Sequence, residues 1–177
     1  MKDLKEALTG VLACFRQGAN SWMSALFGHR IDRILFAATK ADLLHHTSHD
    51  RLENILKETV SNAATRAEFS GAKIDVAALA AIRATREATV KQRKQELPCI
   101  VGIPERGETI GDDTFDGESE AAAFPGDLPD DHALALAGGL EGTLKFIRFR
   151  PPELHDASFP HIRLDRTLEF LIGDRLA

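Results

Sequence analysis

Cysteine is scarce: only Cys14 and Cys99 occur in 177 residues, far apart and with no C-x-x-C pair. This usage suits a reducing compartment and supports neither a disulfide framework nor a zinc finger. Long apolar runs are missing as well. None approaches the roughly 18 residues that cross a bilayer, and the opening MKDLKEALTG is too charged and too alternating for a signal peptide. Nor is there an excess of positive charge. A formal net charge of -5 and a pI near 5.8 give no electrostatic attraction to nucleic acid or to an anionic membrane. These absences lead us to expect a cytoplasmic protein with neither nucleic acid nor membrane as partner. What is present, 44% hydrophobic residues, is enough for one ordinary domain with a real core.

The pattern along the chain predicts an α/β fold. Leu4, Ala7, Leu8, Val11, Leu12 and Phe15 recur at helical spacing over residues 3–17, and SWMSALFG at 21–28 suits a short second helix. RILFAA then forms a continuous apolar run, as in a strand covered on both faces of a parallel sheet. Thr47 and Asp50 have the spacing of a capping box. Beyond them Leu52, Ile55, Leu56, Val60, Ala63, Ala64 and Ala67 predict a long helix that stops at Ser70-Gly71. IDVAALAAI at 74–82 follows as a second buried strand, which completes a βαβ unit. LPCIVGI at 97–103 predicts another strand. Residues 105–131, with ten acids and one base, predict an exposed loop excursion. TLKFIRFRPP at 143–152 alternates like a half-exposed strand. The last segment predicts an amphipathic helix with Leu164, Leu168, Leu171 and Ile172 inward.

Chemistry gathers in RILFAATKADLLHHTSHD, residues 33–50. Ligands of open parallel sheets bind beyond the carboxyl ends of the strands, where Thr39-Lys40-Ala41-Asp42 stands. An aspartate there can accept two hydrogen bonds from the ring N–H and 2-amino group of guanine, which adenine does not offer. The lysine stem can cover the base while Thr39 ties neighbouring loops. His45, His46 and His49 could share a metal, but the predicted helix start divides them and no Cys or Glu nearby completes a coordination sphere, so we assign no metal ligands. The five basic residues of 83–94 read as a solvated face, here expected to be helical, rather than as a nucleic-acid surface. Phe124-Pro125-Gly126-Asp127-Leu128-Pro129 reads as a rigid surface turn.

RIDRILFAATKADLLHHTSHDRLENIL, with ACFRQGANSW upstream and AAFPGDLPDD and FPHIRLDRTLEFLIGDRL downstream, closely resembles the YcjX-like family of predicted bacterial P-loop GTPases. The resemblance covers essentially the whole chain. It implies a cytosolic, stress-associated nucleotide-binding α/β protein in which TKAD serves as the N/T-K-x-D guanine motif, so that Thr39, Lys40 and Asp42 contact the base. It also places a backbone amide of the loop around Arg83 and Ala84 against the guanine O6, although the usual Ser-Ala pair is missing there. GTP or GDP is the implied ligand, with Mg²⁺ in the intact family protein, where GTP is hydrolysed by water.

The family pattern also needs a G-x-x-x-x-G-K-[ST] loop to cradle phosphate, and these 177 residues contain none. The nearest stretch, Gly102 to Thr109, puts Glu108 where the lysine belongs. The expectation is therefore a partial P-loop NTPase-like parallel sheet with a β-rich acidic insertion, corresponding to the C-terminal part of the family's domain. It would comprise helices and βαβ at 1–95, the insertion at 96–160 and a helix at 161–177. A truncated gene product and an expressed fragment both satisfy this, and no catalytic residue is assigned. A second reading is a non-catalytic interaction module whose uncovered edges favour self-association or a missing N-terminal complement.

Overall fold

The computed structural model describes residues 31–69, 71–92, 95–129, 144–153 and 158–176, together with Ala7, Gly10 and Val11. Those last three are helical, but most of the helix expected over 3–17, and all of that at 21–28, lies outside the described residues.

The expected βαβ unit is present. Strand β1 (Arg33–Thr39) pairs in parallel with β2 (Lys73–Leu79), Arg33 opposite Lys73 and Thr39 opposite Leu79. Helix α1 (His49–Phe69) connects them. Side chains of a strand alternate between faces, so Ile34 and Phe36 line up with Ile74 and Val76 on one side. There they pack against Val60 and Ala63 of α1, with Leu56 and Ala64 at the margin. Each large apolar side chain buried in this way contributes about 1.5–3 kcal/mol.

The ends of α1 show how local chemistry overrides a simple pattern. Its C-terminus matches the sequence: Gly71 takes φ +87°, Ala72 N–H donates to Ala67 O and Gly71 N–H to Glu68 O, a Schellman closure. Its N-terminus does not. Thr47 sits in a 3-10 turn, His46–Ser48, ahead of the helix. His45 caps that turn, and the Asp50 carboxylate is engaged by Arg163 rather than by a backbone amide. The Thr47–Asp50 capping box is therefore not formed.

Beyond β2 the strands run antiparallel. Strands β3 (Arg86–Gln92), β4 (Gln95–Gly102) and β7 (Ala121–Ala123) form a sheet in the order β3-β4-β7, and β5 (Thr109–Ile110) pairs with β6 (Asp113–Thr114). The basic stretch expected to be helical is thus strand β3. Its ladder with β4 runs from Arg86 opposite Val101 to Gln92 opposite Gln95. The β-rich part accordingly begins at Arg86, ten residues before the expected boundary. Residues 144–150 keep the predicted alternation, with Ile147 and Phe149 buried, but among the described residues they form one bridge, Phe149 to Pro104. The acidic stretch supplies its own order: the Asp116 carboxylate accepts the amides of Ser119 and Glu118 and the Ser119 hydroxyl. These bonds hold its pKa down at about 2.

Two further small cores flank the βαβ unit. Leu44, Ile55 and Leu128 form one, and Ile100, Ala123, Ile147 and Phe149 the other. Leu128, expected in a surface turn, is almost fully buried, and Arg51 holds its carbonyl at 3.2 Å. Gly126 does take the positive φ expected of that turn, +94°.

Helix α2 (Leu164–Ile172) differs most from expectation. Its side toward the sheet is polar. Arg166 binds the Asp75 carboxylate at 3.0 and 3.1 Å, Arg163 pairs with Glu53, Arg33 reaches Phe170 O at 2.6 Å, and Thr167 is buried. Leu168, Leu171 and Ile172, expected inward, are 45%, 36% and 39% exposed. Carboxylates on the sheet and on α1 draw the arginines inward and turn the leucines out.

Candidate functional site

The loop after β1 is shaped by one strained residue. Lys40 lies in the left-handed region at φ 60°, ψ 38°, uncommon for a residue with a side chain and typical of functional loops. The reversal leaves Thr39 and Lys40 exposed and turns Ala41 and Asp42 inward, Asp42 being only 6% exposed. A short 3-10 turn, Ala41–Leu43, follows. His49 holds this turn from α1, its Nε2 lying 2.9 Å from Ala41 O and 3.3 Å from Leu44 O. Carbonyls only accept, so Nε2 carries the proton.

Asp42 joins this loop to the one after β2. Its Oδ2 accepts the Ala84 amide at 2.9 Å, and its own carbonyl accepts the Thr85 hydroxyl at 2.5 Å. Thr39, Lys40, Asp42 and Ala84 are therefore brought together, although Ala84 sits 42 residues beyond Asp42. The Ala84 amide donates inward to Asp42 here, and the Arg83 guanidinium is engaged by Thr85 O and Glu87. An ionised carboxylate has about four acceptor positions. The Ala84 amide fills one of them, at Oδ2. A groove of about 560 Å³ runs from Arg83–Arg86 to Pro151–Glu153, but neither Lys40 nor Asp42 lines it. Its arginines are already engaged: Arg83 by Glu87, Arg86 by Glu120 within the groove, Arg150 by Gly117 O.

The three histidines separate. His49 is enclosed by the carbonyls above, whereas His45 and His46 stay together, ring centroids 4.3 Å apart, and meet Glu87 of β3. The sequence concealed this partner because it lies 41 residues from His46, and local spacing carries no signal for it. The His45 pKa is lowered from 6.5, chiefly by burial and then by His46, with Glu87 partly opposing. A folded-state pKa below the unfolded one means that this group's stabilisation is complete above pH 6.5. It is lost as pH falls from there through the folded pKa. An NMR titration of His45 should show a midpoint below 6.5, and thermal stability should decline on the acid side of that value. A midpoint at or above 6.5 contradicts the burial argument. For Glu87, burial alone would raise the pKa, but the His46 hydrogen bond and the charges of His46, Arg83 and His45 outweigh it and lower the pKa overall.

Gly102 to Thr109 builds no phosphate cradle. Pro104 bridges Phe149, Glu108 binds Arg148 at 2.8 Å, and the hairpin of β5 and β6 stands where a helix would have to begin.

Fold and site together define a mixed α/β protein whose small parallel sheet presents a carboxylate-bearing loop at the carboxyl end of β1, beside antiparallel sheets. Comparison with known families gives the next step: the family model of the YcjX-like family, DUF463, matches residues 1–176. The chain belongs to the YcjX-like family. It is 32% identical over 175 residues to "Ras-like GTPase YcjX" of Escherichia coli (strain K12), covering 98% of this chain and 35% of that protein. It is 31% identical over 180 residues to the protein of the same name from Shewanella oneidensis, covering 99% and 35%. The chain thus spans about a third of the length of these relatives. Among the described residues no helix is long and apolar enough to cross a membrane.

Proposed function

We propose that this chain carries the guanine-recognising part of a P-loop NTPase-like, GTP/GDP-binding protein, with Asp42 as the reader. The observation that carries the reading is the buried Asp42 carboxylate. It stands at the end of a parallel strand, anchored through one oxygen to Ala84, with acceptor capacity left over. The donor set suits guanine: a carboxylate for the ring N–H and 2-amino group, a backbone amide for O6 and a lysine stem above the ring. Asp42 exchanges the Ala84 amide for the base, and the released amide is then available to O6. A base without those N–H groups leaves a buried carboxylate unmatched, which costs about 1–3 kcal/mol. Thr39 and Lys40 border the opening, and Arg83 positions the second loop through Thr85 O. Mg²⁺ and phosphate chemistry belong, in this reading, to a G-x-x-x-x-G-K-[ST] loop outside these residues, as do the cytoplasmic setting and the stress association. The 177-residue chain should bind GDP in titration calorimetry and release no phosphate from GTP with Mg²⁺. Sustained Mg²⁺-dependent turnover by the pure chain would sink the assignment of chemistry to another segment.

A second reading, a protein-interaction module, is favoured by the exposed Leu168, Leu171 and Ile172 of α2 and by β1, which among the described residues pairs on one side only. Light scattering separates the two: a clean monomer argues against self-association through these surfaces.

A further inference from the structure

We propose that His45, His46 and Glu87 bind a divalent transition-metal ion, zinc by the chemistry of the set. The three residues each offer a ligand atom within 4.8 Å of the others. Donors around a tetrahedral zinc at ordinary bond lengths lie about 3.4 Å apart. His46 Nδ1 and Glu87 Oε2 are now 2.6 Å apart, so loading requires these two to part by about 1 Å. His46 can make that adjustment because its side chain is 63% exposed. An ion pair with Glu87 would need one histidine only. The second imidazole arrives because His45 is extended, φ −68° and ψ 148°, while His46 begins a 3-10 turn, so that consecutive side chains converge.

Two imidazoles and a carboxylate are the donor types of zinc sites that keep a fourth position open. Supporting contacts of the expected kind are present. Without the ion His45 Nδ1 accepts the Thr47 amide at 3.5 Å; on loading the ring takes its other tautomer, in which Nδ1–H donates to Thr47 Oγ1, 3.0 Å away, and the other ring nitrogen is free for the ion. Arg83 Nη2 holds Glu87 Oε1 at 3.0 Å and fixes the carboxylate. The same guanidinium opposes a second positive charge, which makes this a modest-affinity site. Its place gives it a consequence. His45 lies three residues after Asp42 and Glu87 three after Ala84, so the ion would staple together the two loops that Asp42 joins. The inference stands apart from guanine recognition.

The test uses the 177-residue chain with Zn²⁺ in calorimetry and Co²⁺ in visible absorption. We expect one ion bound per chain and a rise in Tm of roughly 4 °C at saturating Zn²⁺. His46→Ala and Glu87→Gln should each weaken binding about 100-fold, while His161→Ala, at an exposed histidine elsewhere, leaves it unchanged. Thermal melts without metal establish that each variant is folded. Undetectable binding to the unmutated chain, or equal affinity in the folded His46 and Glu87 variants, overturns the proposal.

Discussion

Replacing Asp42 by Asn should abolish the preference for GDP over ADP, a change of about 100-fold in relative affinity. The carboxylate is matched to two N–H donors of guanine, and an amide offers one acceptor and one donor in its place. The substitution is chosen to spare the fold. Asn keeps an oxygen that can accept the Ala84 amide, now 2.9 Å from Asp42 Oδ2, and nearly the same volume in a site that is 6% exposed. Competition between the nucleotides for a fluorescent guanine analogue reads the effect directly. An Asp42→Asn variant that is folded and still prefers GDP as strongly as the unmutated chain would remove Asp42 from base recognition.

The largest effect on stability is expected at Glu53→Ala. Glu53 is a buried acid on α1, and its Oε1 accepts the Ala78 amide at 2.9 Å on the edge of β2 that faces away from β1. The same oxygen pairs with Arg163, with Arg166 Nη1 at 3.8 Å. Beyond it that edge is closed by the bridge between Ala80 and Ile162, next to Arg163. Glu53 therefore ties α1, β2 and the start of α2 at one atom. Removing it strands an amide and leaves the partly buried Arg163 guanidinium with Asp50 alone, at a cost of about 3 kcal/mol, or about 9 °C in Tm for a chain of this size. Glu53→Gln should cost clearly less, because an amide oxygen still caps Ala78. Urea or thermal unfolding within about 1 kcal/mol of the unmutated protein for Glu53→Ala would contradict this account of the network.

The parts of the fold that were legible in the sequence are those whose burial is apolar and local. RILFAA and IDVAALAAI carry strands β1 and β2, although β1, expected to be covered on both faces, buries only Phe36; the stripe from Leu52 to Ala67 is the inner face of α1, and Gly71 ends it. TKAD stands where a strand-end loop was expected. Where polar contacts between distant residues decide the structure, the pattern misled. From Arg86 to Lys91 strand β3 has no buried side chain, so no apolar periodicity marks it, and only its ladder with β4 makes it a strand. The leucines of α2 form the stripe expected to face inward, yet Glu53 and Asp75 claim Arg163 and Arg166 on that side. Thr47 does not cap α1 because it lies inside a 3-10 turn that precedes the helix and is itself capped by His45. The Asp42–Ala84 bond and the meeting of His45, His46 and Glu87 join residues separated by 42 and 41 positions, beyond the reach of any local spacing.

The central claim, that Asp42 reads guanine at the end of β1, is tested most directly by titrating the unmutated 177-residue chain with GDP and with ADP under identical conditions. The account predicts measurable binding of GDP and much weaker binding of ADP. Equal affinity for the two, or no binding of GDP at millimolar concentration, contradicts it.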